Sequence, residues 1–100
     1  MIHSNDGDIV RKHGDDYFTQ NGVVRRVGSH LIGSDGSHAI DHGNIVQRKN
    51  DTIHVIGNQL HTGDGRVFRL EHDTLYGPNG KIWRGVSSMD DAKAIVAMRM

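Results

Sequence analysis

Short apolar stretches alternate with turn dipeptides along almost the whole chain. Asp6-Gly7, Asn21-Gly22, Asp35-Gly36, Asn50-Asp51, Asp64-Gly65 and Asn79-Gly80 recur at spacings of 15, 14, 15, 14 and 15 residues. Asn-Gly and Asp-Gly are strong hairpin signals, because glycine supplies the positive φ that a tight loop requires. Five residues before the second member of each dipeptide stands Ile2, Tyr17, Leu31, Val46, Leu60 or Leu75. Two residues after it stands Ile9, Val24, His38, Ile53, Val67 or Ile82. Eleven of these twelve positions are apolar or aromatic in a chain that is 35% hydrophobic, which marks them as a core column. Their flanks alternate between polar and apolar, the period of two of a strand with one face inside. The pattern predicts six short β-hairpins.

The alternation of spacings implies a longer unit of 29 residues, present three times, with His13-Gly14 and His42-Gly43 at equivalent places in the first two units. An all-β fold of tandem hairpin repeats follows, in which an open or rolled array is expected ahead of a closed three-fold structure. If the two core positions of a hairpin pair directly, Asp15 opposes Arg26, Asp16 opposes Arg25 and Asp73 opposes Arg84. The period changes at the end of the chain. Ser88, with Asp90 and Asp91 after it and Ala92, Ile95 and Val96 at helical spacing, predicts one capped C-terminal α-helix from about Met89 to Arg99. It is expected to pack on an end or face of the sheet. The whole chain, 1–100, reads as one domain, with the hairpin array in 1–87 and the helix in 88–100.

Composition narrows the class. Twelve basic residues balance twelve acidic ones, which disfavours a nucleic-acid partner, since phosphate binding draws on basic excess. The absence of cysteine excludes disulfides and thiolate metal sites. No apolar run approaches a membrane span, and no leader pattern opens the chain, so a cytoplasmic location without membrane contact is expected.

Candidate chemistry is sparse. Arg11, Arg26, Arg69 and Arg84 each follow a turn glycine by four residues. A ladder of guanidinium groups at that position can hold phosphate or carboxylate. Arg11, Arg69 and Arg84, with Trp83 as a stacking platform, are therefore the candidate ligand-binding residues for a small anion such as a nucleotide. Eight histidines are unusually many. His13, His42 and His72 are weak candidates for a divalent-metal site, whereas His38 falls in the core column and is expected to be a half-buried, hydrogen-bonded residue. Ser-His and Asp letters are plentiful, but no nucleophile elbow or phosphate loop accompanies them, so neither catalysis nor a cofactor is expected. Phe18, Phe68, Tyr76 and Trp83 lie mostly off the column, on a second face that needs cover, and an open array would leave pairing edges. The expectation is a non-catalytic binding or assembly module of accessory type, homo-oligomeric, presenting loops and a partly basic strand face to an acidic protein or small anionic ligand.

Overall fold

The computed structural model describes all 100 residues. Twelve strands follow one another: β1 (Ile2–Ser4), β2 (Ile9–His13), β3 (Asp16–Thr19), β4 (Gly22–Val27), β5 (His30–Gly33), β6 (His38–Asp41), β7 (Ile45–Arg48), β8 (Thr52–Ile56), β9 (Gln59–His61), β10 (Val67–Glu71), β11 (Thr74–Tyr76) and β12 (Ile82–Arg84). Helix α1 (Met89–Met98) completes the chain. Each strand pairs antiparallel with its neighbours in sequence, and β12 returns to β1 through His3↔Arg84 and Ser4↔Trp83. The hairpins therefore close into a barrel, and the open or rolled array expected from the sequence is not what forms.

The helix explains the closure. Seven consecutive residues of α1, Asp91–Ala97, are buried, which means that no face of it meets solvent over two turns. It is not laid on a sheet surface but occupies the lumen. Strands about 4.8 Å apart give twelve of them a cross-section of roughly 18 Å before tilt widens it. That encloses a helix about 10 Å across, and Ala92, Ala94 and Ala97 keep α1 slender. Each strand contributes one residue to a buried ring around it: Ile2, Val10, Tyr17, Val24, Leu31, Ala39, Val46, Ile53, Leu60, Phe68, Leu75 and Trp83. The helix runs closest to β5, β6, β7 and β10. Ala39, the smallest ring member, faces it on β6, while the bulky Trp83 stands on β12, directly across the ring.

All twelve ring positions lie on or beside the predicted core column, and the column itself is right at eight. The six residues before the turns are all buried, as are Val24 and Ile53. The other four slip by one, so Val10, Ala39, Phe68 and Trp83 are inside in place of Ile9, His38, Val67 and Ile82. Loop length is the cause. Tyr17–Val24 and Val46–Ile53 belong to hairpins with two-residue loops, closed by Thr19↔Gly22 and by Arg48 N–H on Asp51 O. The other four have three-residue loops, closed by Ser4 N–H on Asp8 O, Gly33 N–H on Ser37 O, Thr62 N–H on Arg66 O and Gly77 N–H on Lys81 O. In these the glycine is the third loop residue at positive φ, the arrangement that ends in a bulge. A one-residue slip turns every following side chain to the other face. His38 is thereby exposed, not a core histidine. Arg84 pairs with Thr74 and not with Asp73, while Asp16↔Arg25 pairs as expected and the Asp15 carbonyl accepts from the Arg26 N–H.

The chain enters the lumen at the rim that carries the loops Gly14-Asp15, Gly28-Ser29, Gly43-Asn44, Gly57-Asn58 and His72-Asp73, here called the entry rim. The C-terminal end of α1 lies at the opposite, exit rim.

Candidate functional site

Two sets of charges arise from the same strands, one facing the lumen and one facing out. Inside, Ser88 caps α1 by accepting from the Asp91 N–H. The Asp91 carboxylate accepts from the Tyr17 hydroxyl at 2.6 Å and Ser87 Oγ at 3.1 Å, and pairs with Lys12 Nζ at 2.8 Å. Burial pushes the Asp91 carboxyl up, but Lys12, Tyr17 and Ser87 outweigh it and leave it below the ordinary carboxylate range. Burial and the neighbouring Asp91 drive the Tyr17 hydroxyl well above its usual range, so it stays a donor. Next to it, Asp41 accepts from Arg26 Nη1 at 3.0 Å, Lys93 Nζ at 3.1 Å and the Gly43 N–H at 2.8 Å. Its carboxyl too is lowered, burial being outweighed by Gly43, Lys93 and Arg26. Arg26 Nη2 also donates to the Asp90 carbonyl at 3.0 Å. At the exit rim Arg48 grips Asp51 through two bonds of 2.6 and 2.5 Å and reaches the Val96 carbonyl at 3.4 Å. These groups fasten the helix into the barrel, and their charges are spent on one another.

Two clefts flank the end of α1 at the exit rim, of about 970 and 540 Å³. Three of the cations lining them, Arg48, Arg66 and Lys81, are held in the same way, whereas Lys49 and Arg99 are in no ion pair. Arg66 is paired with Asp64, and Lys81 with Asp8 at 2.8 Å and Asp6 at 3.2 Å. Lys81 also lies 4.6 Å from the centre of the Trp83 ring, and Trp83 is 2% exposed. The indole is a packed wall of the barrel, covered by its own ammonium group, and offers no open stacking face.

The outside is different. Arg69, Arg84, Arg11 and Arg25 are exposed and stand on β10, β12, β2 and β4, one on every second strand. The register relates them by one repeated step. Arg69 faces Tyr76, which faces Ile82, two residues before Arg84. Arg84 faces His3, which faces Ile9, two before Arg11. Arg11 faces Phe18, which faces Val23, two before Arg25. The next steps reach Ile40, His54 and again Arg69. The result is a girdle in which a continuous arc is arginine, interleaved with exposed Tyr76, His3, Phe18 and Ile32. Arg69 pairs with Glu71 at 2.9 Å and lies over the Tyr76 ring. Arg11, Arg25 and Arg84 are in no ion pair. Only Asp16 and Glu71 supply acids to the outward strand positions, since the other acids lie in the lumen, the rims and the helix.

Of the residues singled out in the sequence, Arg11, Arg69 and Arg84 thus share the outer wall. Trp83 does not join them, because adjacent strand residues point to opposite faces, and an anion gripped by Arg84 cannot stack on Trp83. The ladder keeps its logic but not its fourth member. The two-residue loop at Asn21 turns Arg26 inward and puts Arg25 in the girdle, a substitution visible only once loop length is known. His13 ends β2 edge-on to Phe18, while His42 and His72 stand at the entry rim. They are not brought together, and no group of three or more histidine or acidic side chains is arranged to hold a metal ion. No helix is long and apolar enough to cross a membrane. No protein-family model, curated protein or solved structure matches the chain.

Proposed function

We propose that the protein is a non-catalytic β-barrel binding module that presents its arginine arc to the acidic surface of a partner protein. The observation that carries this reading is the sorting of charge. The chain is neutral as a whole, yet its acids are drawn into the lumen and rims while unpaired arginines recur on the wall. Guanidinium groups suit carboxylates through planar, two-pronged bonds, and the interleaved Phe18, Ile32 and Tyr76 add apolar area of the kind found at interface cores. On this reading the two-strand hairpin step of 14 or 15 residues is what returns an arginine to the same height, at Arg69, Arg84, Arg11 and Arg25, while the middle of the chain carries Ile40 and His54 there. Homo-oligomerisation keeps a narrower basis than the sequence suggested, because closure removes the free strand edges. It rests on exposed wall residues such as Val27 and Ile56.

The test is binding of fluorescent poly-glutamate to the intact protein over a range of salt, with Arg11→Ala/Arg84→Ala beside it. Salt-sensitive binding that the double variant weakens supports the reading. Equal binding by both proteins, or none, overturns it. Tighter binding of single-stranded oligonucleotides through the same arginines would also overturn it and make the partner a nucleic acid.

A further inference from the structure

We propose that His30 and His38 form a two-imidazole site for a divalent zinc-like ion on the outer wall. The two residues lie on neighbouring strands β5 and β6, whose register pairs His30 with Ile40 and Ile32 with His38, so the histidines are diagonal neighbours on the outward face. His30 Nδ1 and His38 Nε2 are 2.8 Å apart. The ring centres are 5.0 Å apart and the ring planes differ by 4°. That separation of centres is what a contact of this length gives when the rings lie edge to edge in nearly one plane. Both nitrogens therefore aim their in-plane orbitals at the same gap, which one N–H now fills.

An ion can take the place of that proton. Two imidazoles on one zinc, each about 2.0–2.1 Å from it, set their nitrogens roughly 3.3 Å apart. The gap needs to open by about half an ångström and each ring to turn so that its lone pair points off the line between the nitrogens toward the ion, which two exposed side chains allow. Both rings enter as neutral ligands, the donor ring first moving its proton to its far nitrogen (His30 Nε2 or His38 Nδ1). Water completes the coordination from the solvent side. Imidazole selects zinc, nickel and copper over magnesium and calcium.

The other outward pair serves as a control within the same molecule. His54 and His61 are in direct register on β8 and β9, but each ring is turned to a polar neighbour, His54 to Thr52 at 3.4 Å and His61 to Gln59 at 3.0 Å. They share no gap. His13, His42 and His72 stand apart from one another and offer single nitrogens.

The experiment is a zinc titration of the untagged protein at pH 7.5, following the imidazole nitrogens by NMR and the affinity by calorimetry. The expected result is one equivalent of zinc shifting His30 and His38 together. Affinity should fall roughly tenfold or more in His38→Gln, stay unchanged in His61→Gln, and weaken toward pH 5.5 as protons compete for the ligands. Both substitutions are on the wall, and circular dichroism confirms that the barrel persists. Shifts spread over all the histidines, or equal affinity in His38→Gln, would mean an adventitious ion only and would overturn the site.

Discussion

Arg25 and Arg26 stand next to each other on β4, one on each face of the barrel wall. Arg26 turns into the lumen, where Asp41 and the Asp90 carbonyl hold its guanidinium and its side chain is 14% exposed. Arg25 turns outward, exposed and without an ion pair, in line with Arg11 and Arg84. The same contrast runs around the barrel. Inward cations such as Lys12, Arg48 and Lys93 are each matched to an acid in the lumen or at its rim, and between them they tie the helix at both ends. Outward arginines have almost no acids to answer them. Charge inside the wall is structural, and charge outside it is available. What decides the side is whether a turn holds two residues or three.

The largest effect that this contrast predicts lies in the lumen. Asp41→Ala removes the common partner of Arg26 and Lys93 and leaves two cations inside the barrel. Breaking a buried pair from one side typically costs about 3–5 kcal/mol. The urea midpoint of Asp41→Ala should fall accordingly, with loss of the folded baseline at moderate temperature. A fall of under about 1 kcal/mol would mean that the network is solvated and the contrast between faces is false.

Acid provides the second test. Asp41 and Asp91 have carboxyls held below the ordinary value of 3.8 in the fold. A group depressed in this way stabilises the protein fully above its unfolded pKa, and the contribution is lost as pH falls through the folded value. Urea midpoints should therefore be level from neutral pH to just above 4 and fall below it. Asp91→Asn should lower the plateau at pH 7 by about 1–3 kcal/mol, since a charge-assisted network is weakened, and flatten the acid limb. An unchanged limb would assign acid sensitivity to the rim acids instead.

The sequence discloses these two faces unequally. Five of the six turns were legible because Asn-Gly and Asp-Gly demand a conformation that few other residues adopt, the sixth, Asn50-Asp51, from its spacing alone, and the helix from Ser88 and the acids that follow it. Loop length was not, since the spacing of turns is the same whether the glycine position is the third residue of a loop, as at Gly7, or the first residue after a two-residue loop, as at Gly22. Hydroxyls that accept across the turn, Ser4 from Asp8 N–H and Thr62 from Arg66 N–H, fix two of the four longer loops, and they look ordinary in the sequence. Placing the larger Phe68 and Trp83 inside, in preference to Val67 and Ile82, was the available signal. Closure was harder still. It depends on what fills the lumen, and the clue was a helix whose residues Ala92 to Ala97 have no polar face except Lys93.

The entry rim gives a smaller test of the same turn chemistry. Its two-residue loops begin with Gly14, Gly28, Gly43 and Gly57 at positive φ, and in the fifth loop His72 takes that place at φ 57°. Histidine tolerates the left-handed region better than branched residues but less well than glycine. His72→Gly should raise stability by roughly 0.5–1 kcal/mol, read as a higher urea midpoint. A loss would show that the imidazole makes a contact worth more than the strain.

The smallest expected change is the sharpest test, because it sets the two neighbours on β4 directly against each other. Arg25→Ala removes an exposed side chain whose pairing lies only in the backbone register with Asp16 and Ile32. Its stability should stay within about 0.5 kcal/mol of the parent, while binding to an acidic probe weakens and loses part of its salt dependence. Arg26→Ala should do the reverse, unsettling the fold by leaving Asp41 with one cation fewer and leaving the wall intact. Both substitutions delete the same charge from the same strand, so net charge cannot explain a difference between them. Equal stability and equal binding in the two variants would mean that the wall does not sort charge by function, and the arginine arc would lose its meaning as a binding surface.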